Sequence, residues 1–449
     1  MKTAWAFAVL GAVALLEACS GGGAGTPAGT VRVSVSGAPS SGAPSSAPSV
    51  NPQTLIKHVV FVIQENRSFD NLFHGFAGAD FATTGLTHSN QVVQLKPVGL
   101  EAPYDPNHGL VDFLTAWDKG QMNGFDFVGY SGGPAPSPYP LYAYVPSNET
   151  APYVALAKQF TLADRMFTSQ IDGSFTAHQF MIAGQSDDTV DFPNNQPWGC
   201  DGPSYSRVPT LTAQRTLGPS LFPCFDYQTL GDELDAKNLS WRYYAPPLTG
   251  DPGGELWTAY DAVKHIRYGP DWANEVTPAS QILKDAAAGT LANVTWVVPD
   301  YADSDHGGNQ SAGGPAWVQS VVNAIGASPE WSSSAIFVVW DDWGGWYDHV
   351  PPPQLDTQGL GIRVPLIVVS PYAKSGYVSH VQYETAGLLT FAEAIFGLPA
   401  LAAADARANA LFDCFDFNQT PRSYASIRKH LSGVRYVPHG PSGVAPDLQ

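Results

Sequence analysis

The sequence predicts an α/β protein built on a mostly parallel central sheet with helices on both faces. Three observations carry that expectation. Apolar runs such as Val59-Val60-Phe61-Val62-Ile63 and Ile336-Phe337-Val338-Val339-Trp340 are continuous rather than alternating, as in strands buried on both faces. Helical stretches are interleaved with them, which supplies the crossovers that parallel strands need. The strand candidates also end abruptly in polar groups, as happens where a site is built on the carboxyl edge of a sheet.

The chain begins with a targeting pattern. Lys2 precedes an apolar run from Ala4 to Leu16, then Leu16-Glu17-Ala18-Cys19, which resembles a bacterial lipoprotein signal with Cys19 as the lipidated residue. Glu17 is an unusual lipobox occupant, so ordinary signal-peptidase cleavage stays open. Export to the periplasm, the outer membrane or the exterior is expected either way. Residues 20–52 are rich in Gly, Ser, Pro and Ala and read as a tether, followed by a catalytic domain over 53–430 and a tail over 431–449.

Within the domain the strand candidates are 56–63, 294–298, 335–340 and 364–369. Helix candidates are 152–159, 176–183, 227–234, 316–324 and 385–396. Loops about 100–150 and 186–226, full of Pro, Gly and aromatic residues, are expected to wall a cleft. Cys200 and Cys224 are expected to pair and Cys414 to be a buried thiol, although pairings with Cys414 stay open from sequence.

The 449 residues include 12 Trp, 19 Tyr and 22 Phe, enough for a large core. A net charge of −18 argues against nucleic-acid binding and against a broad electrostatic grip on anionic membranes. Membrane contact is expected only through an N-terminal lipid anchor. An anionic substrate is not excluded, because a bound metal can reverse the field inside a pocket.

The first strand runs into Glu65-Asn66-Arg67-Ser68. Glu65 and Asn66 offer hard oxygen ligands, and Arg67 could bind an anion or brace the ligands. The plainer alternative is an N-cap cluster opening a helix at Ser68. The strand at 335–340 ends in Asp341-Asp342, an adjacent pair that is costly unless a cation or hydrogen bonds neutralise it. Together these oxygens suit Ca²⁺, Mg²⁺ or Mn²⁺, with Zn²⁺ also possible. In Asp172-Gly173-Ser174, the glycine permits a tight turn and Ser174 would stand at a helix N-terminus, whose free N–H groups favour phosphate or an alkoxide. An N-cap without catalytic duty is the competing reading. His108 and His306 lie in Gly-flanked polar loops and could protonate a leaving oxygen; His178 falls on the helix beside the serine, and His349 suits a structural hydrogen bond.

These motifs, with Gly344-Gly345, Asp348-His349-Val350, Gly361-Ile362-Arg363-Val364-Pro365 and Ser370-Pro371, resemble the bacterial phosphoesterase family of phospholipases C and metal-dependent acid phosphatases, over residues 54–417. The resemblance implies an alkaline-phosphatase-like three-layer α/β/α sandwich. It implies a divalent metal held by Glu65, Asn66, Asp341 and Asp342, with Ser174 as ligand and nucleophile. His108 and His306 would act at the phosphate, with Arg67 and His178 binding substrate. Many relatives have Asp-Glu where Asp341-Asp342 stands and Pro-Asn after the nucleophile, where this chain has Phe175-Thr176-Ala177. Haemolytic members carry extra C-terminal β-domains not seen after Phe417, which tilts the expectation toward a phosphomonoesterase over a phospholipase C acting on lipid head groups. A sulfatase is disfavoured because no Pro or Arg follows Ser174 at the required spacing. Asp305-His306-Gly307 leaves a second metal open, and a non-catalytic surface-binding protein is the remaining alternative.

Overall fold

A computed structural model describes residues 50–428. The expected signal segment, most of the linker and the tail lie outside the described residues. A nine-stranded sheet organises the molecule. Its strands are β1 (His58–Gln64), β2 (Thr161–Phe167), β3 (Trp241–Tyr244), β4 (Glu275–Val276), β5 (Val294–Val297), β6 (Ser334–Trp340), β7 (Arg363–Val369), β8 (Tyr377–Ser379) and β9 (Tyr383–Glu384). The spatial order is β4-β3-β5-β1-β6-β7-β2-β8, with β9 also pairing β2. The helices that matter below are α1 (Phe69–Phe73), α2 (Leu110–Trp117), α3 (Ala151–Gln159), α4 (Ser174–Ala183), α5 (Leu230–Ala236), α6 (Gly314–Gly326), α7 (Gly387–Phe396) and α8 (Ala403–Arg407).

All pairings are parallel except those of β7, which runs antiparallel to both β6 and β2. The reversal has a structural consequence. It brings the N-terminal Arg363 of β7, opposite Phe167, to the edge where β1, β2 and β6 end. β2 itself, with Asp164-Arg165 interrupting its apolar run, was not among the strands expected from the sequence.

Both faces are covered, as continuous apolar strands require. On one face Phe337 packs against Phe391 of α7, and the Trp296 indole N–H donates to Met181 O of α4. Trp340, three residues on and therefore on the opposite face, meets Tyr153 of α3 edge-on at 4.9 Å. The helices thus form the outer layers of an α/β/α sandwich. The Cys200–Cys224 disulfide closes part of the long 186–226 loop, and Cys414 is a buried free thiol. Among the described residues no helix is long and apolar enough to cross a membrane.

Candidate active site

Register creates the site. Gln64 lies opposite Trp340, so Glu65 and Asp341 leave neighbouring parallel strands at the same level. The chain then turns sharply. Asn66 adopts a left-handed φ of 59°, its N–H donates to Asp341 Oδ1 at 3.0 Å, and Arg67 N–H donates to Asp342 O at 3.1 Å. Gly344 closes against this turn with φ +58°; a Cβ there would fall 2.1 Å from Asn66 O, so only glycine fits. Its N–H donates to Asp342 Oδ1 at 2.7 Å.

β2 delivers the serine to the same edge. After Phe167 the chain passes through Thr168–Asp172 to Gly173, the N-cap of α4, and Ser174 is the first helical residue. Ser174 Oγ lies 3.3 Å from both Asn66 Oδ1 and Asp342 Oδ2. Five residues, Glu65, Asn66, Ser174, Asp341 and Asp342, therefore gather from three strand ends, all essentially buried.

This donor set fits a hard divalent cation. The inward end of the Asn66 carboxamide is 3.2 Å from Glu65 Oε2, 3.2 Å from Asp341 Oδ1 and 3.3 Å from Ser174 Oγ, while its other end is 2.9 Å from His108 Nε2 and 3.1 Å from His306 Nε2. With the amide oxygen turned inward, oxygens crowd oxygens, an arrangement that only a cation among them makes favourable. With nitrogen inward, the amide acts as a neutral hydrogen-bond donor to the carboxylates instead. Asp341 Oδ2 is buried and makes no hydrogen bond, a further sign of a missing positive partner.

The two histidines present the same atom to the site. His108 Nδ1 is 2.8 Å from Pro106 O and His306 Nδ1 is 2.6 Å from Gly307 O. Those carbonyls can only accept, so Nδ1 carries the proton in each ring and Nε2 faces Asn66. His108 packs directly on the backbone beside the serine, where a Cβ on Gly173 would be 3.3 Å from His108 Cδ2.

Both side chains expected to bind substrate are buried. Arg67 is fully buried: Nε donates to Asp305 O at 2.7 Å, Nη1 to Asn71 Oδ1 at 3.2 Å, and the guanidinium lies over the Trp346 ring. It braces the loop that carries His306. His178 is equally buried, with Nε2 3.1 Å from Glu65 Oε1 and 3.8 Å from Asp341 Oδ2, so it lies with the carboxylates and not in a cavity wall. Its place at the second turn of α4 points it into the sheet edge. Ser68 does cap α1, so the helix-cap reading holds for that residue while Glu65 and Asn66 join the cluster. Asp305 Oδ2 accepts from Tyr153 Oη at 2.8 Å and from Trp340 Nε1 at 3.0 Å. His349 Nδ1 lies 2.7 Å from Asp70 Oδ2.

A cavity of about 270 Å³ opens on Ser174, walled by both long loops. His108, Asp105, Asp112, Asp172 and Asp191 line it, with no Lys or Arg. Burial first, and then the facing Asp191 carboxylate, raises Asp172; burial also raises Asp112 and Asp191. This acidic wall escaped the sequence reading. Asp172 could have been noticed two residues before the serine, whereas nothing local places Asp191 there.

A sequence profile described as the Phosphoesterase family matches residues 56–399. The chain belongs to the phosphoesterase family. It is 26% identical over 402 residues to a non-hemolytic phospholipase C of Burkholderia pseudomallei, covering 76% of this chain and 55% of that protein. It is 24% identical over 404 residues to phospholipase C A of Mycobacterium tuberculosis, covering 77% and 74%. Non-specific phospholipase C1 of Arabidopsis thaliana matches at 26% over 423 residues, covering 82% and 72%. The chain thus spans about half the length of the Burkholderia relative. A solved alkaline phosphatase superfamily protein from Vibrio parahaemolyticus overlays loosely, at a TM-score of 0.36 and 9% identity over 77% of this chain and 68% of that one.

Proposed function

We propose that this phosphoesterase-family protein hydrolyses phosphate esters through Ser174 with the help of one divalent metal. The observation that carries the reading is Ser174 Oγ at the start of α4, 3.3 Å from Asn66 Oδ1 and Asp342 Oδ2 at the floor of the cavity. Glu65, Asn66, Asp341, Asp342 and Ser174 would hold the metal, which supplies charge neutralisation for the serine oxygen and the phosphoryl group. Ser174 Oγ passes its proton to the unprotonated Nε2 of His108 or His306 and bonds to phosphorus as the ester P–O bond breaks in line. That Nε2–H then gives the proton to the leaving oxygen. Water then cleaves the phosphoseryl bond and restores the serine. The N-terminus of α4 favours the negative charge that builds there.

A phosphomonoester is the substrate class proposed first. The acidic, cation-free wall supports a second reading, a phospholipase C-type diesterase whose phosphorylated head group carries a positive charge, and the names of the relatives agree with it. Export is part of the proposal, supported by the amino-terminal pattern and by a disulfide that suits an oxidising compartment.

Assays of the purified protein against p-nitrophenyl phosphate and p-nitrophenylphosphorylcholine, with and without chelator, test these readings. Ser174→Ala should lose about 10³-fold or more in kcat on either substrate. Chelation should abolish turnover, and added divalent metal should restore it. Full activity in Ser174→Ala removes the nucleophile assignment. Preference for the choline ester, weakened in Asp112→Asn, ranks the diesterase first.

A further inference from the structure

The loop that walls the cavity is hydrogen-bonded to the serine turn and packs against the start of the helix that follows His108. Asp191 adopts a left-handed φ of 57°, and its N–H donates to Asp172 Oδ2, two residues before the nucleophile. α2 begins at Leu110, and its N-cap, Gly109, has no side chain. A Cβ on Gly109 would lie 2.9 Å from Asp191 Oδ1, so the loop carboxylate packs directly against the start of α2. Asp172 is in turn tied down, its own N–H donating to Gln170 Oε1 and its Oδ2 reached by Thr176 Oγ1 at 3.5 Å. The loop is stiff where it makes this link, since Val190 N–H donates to Pro209 O at 3.0 Å and Leu211 N–H to Asp188 O at 2.7 Å.

One short path therefore runs from Ser174 through Asp172 and Asp191 to α2, and His108 stands two residues before Leu110. We propose that Asp191 is a positioning residue that sets the distance between the His108 imidazole and Ser174. The proposal rests on the reading that His108 acts at the reacting phosphate. Packing Asp191 from a separate loop against Gly109, the neighbour of His108, couples the placement of His108 to the nucleophile turn. A gap of 1 Å between such groups is enough to cost about 10²-fold in rate.

The test is a double-mutant cycle on p-nitrophenyl phosphate, which carries no positive group for the acidic wall to hold. Asp191→Ala should lower kcat by about tenfold or more with KM changed less than about threefold. In a His108→Gln background the same substitution should cost less than about twofold, because Asp191 acts only through His108. Asp191→Asn keeps the size and shape of the side chain against Gly109 and should recover most of the loss. Metal content and melting temperature of each variant confirm that the fold and the metal cluster persist. Losses that add in the double variant, or an Asp191→Asn as impaired as the alanine, overturn the proposal. If His108→Gln alone costs nothing, the catalytic reading of His108 fails. Asp191 then stands overturned as well if Asp191→Ala still slows the enzyme. A wild-type rate in Asp191→Ala overturns the Asp191 proposal by itself and leaves the phosphoesterase reading untouched.

Discussion

At the scale of single residues, Asn66 holds the site together. Its backbone is left-handed, its N–H binds Asp341, and its carboxamide lies between the carboxylates and the two histidines. Backbone strain and side-chain chemistry can be separated by mutation. Asn66→Ala should lose about 1 kcal/mol of stability, because alanine resists the left-handed region. Asn66→Gly accepts that backbone and should melt closer to wild type, yet lose as much activity as the alanine variant. Thermal melts alongside turnover decide this, and an active glycine variant would show that the carboxamide is dispensable. The residue types at this site were legible in the sequence: Glu65, Asn66, Asp341, Asp342 and Ser174 each stand at the end of a recognisable run. The neighbours of Arg67 and His178 were not. A guanidinium or imidazole in a motif reads the same whether it points to substrate or into the core.

At the scale of elements, the reversed strand β7 explains a buried charge cluster. Arg363 is fully buried, with Nε 2.9 Å from Asp348 Oδ1 and Nη2 3.3 Å from Asp70 Oδ1, and it donates to Asp164 O at 2.7 Å. Asp348 also receives Val350 N–H, and Asp70 receives His349, so the cluster anchors the segment that follows Asp341-Asp342. Burial holds Asp348 above the ordinary carboxylate range although Arg363 opposes the shift. Arg363→Met should cost about 3–5 kcal/mol, because two buried carboxylates then lose the guanidinium that pairs with both. Arg363→Lys should rescue it poorly, since one ammonium cannot reproduce the fork of donors. Chemical denaturation measures both, and a loss below about 1 kcal/mol in the methionine variant would discount the cluster as a stabilising unit. The run Val364 to Val369 was legible as a strand, but its direction was not. A continuous apolar run reports burial on both faces and is indifferent to polarity.

At the scale of the whole molecule, acidity is built in away from the cavity as well. Glu393 of α7, Glu233 of α5 and Asp405 of α8 meet near Gly184, the C-cap of α4. Glu393 Oε1 and Glu233 Oε2 are buried without hydrogen-bond partners. Burial, then the neighbouring Asp405, pushes Glu393 up to about 9 and Glu233 up to about 7. The sign follows directly. These groups keep a proton in the folded protein that they lose when unfolded, so their contribution is complete below about pH 4.3 and is lost as pH rises through about 7 and then about 9. The melting temperature should therefore fall by several degrees between pH 5 and pH 9, and Glu393→Gln should flatten that decline. An unchanged slope in the variant would assign the pH dependence elsewhere. A net charge of −18 already announced an acidic protein, but which carboxyls share protons depends on three helices meeting.

The sequence by itself determined the α/β class, the strand ends that carry chemistry and the Gly173-Ser174 turn, because each is written in a contiguous run or a local backbone requirement. Only the tertiary structure decided which of those groups meet. Gln64 opposite Trp340 brings Glu65 to Asp341, and the antiparallel β7 brings Arg363 to the same edge of the sheet. A loop closed by a distant disulfide carries Asp191 against Gly109 at the start of α2. Register and docking are long-range equilibria among buried surfaces, and no local pattern of residue types encodes them.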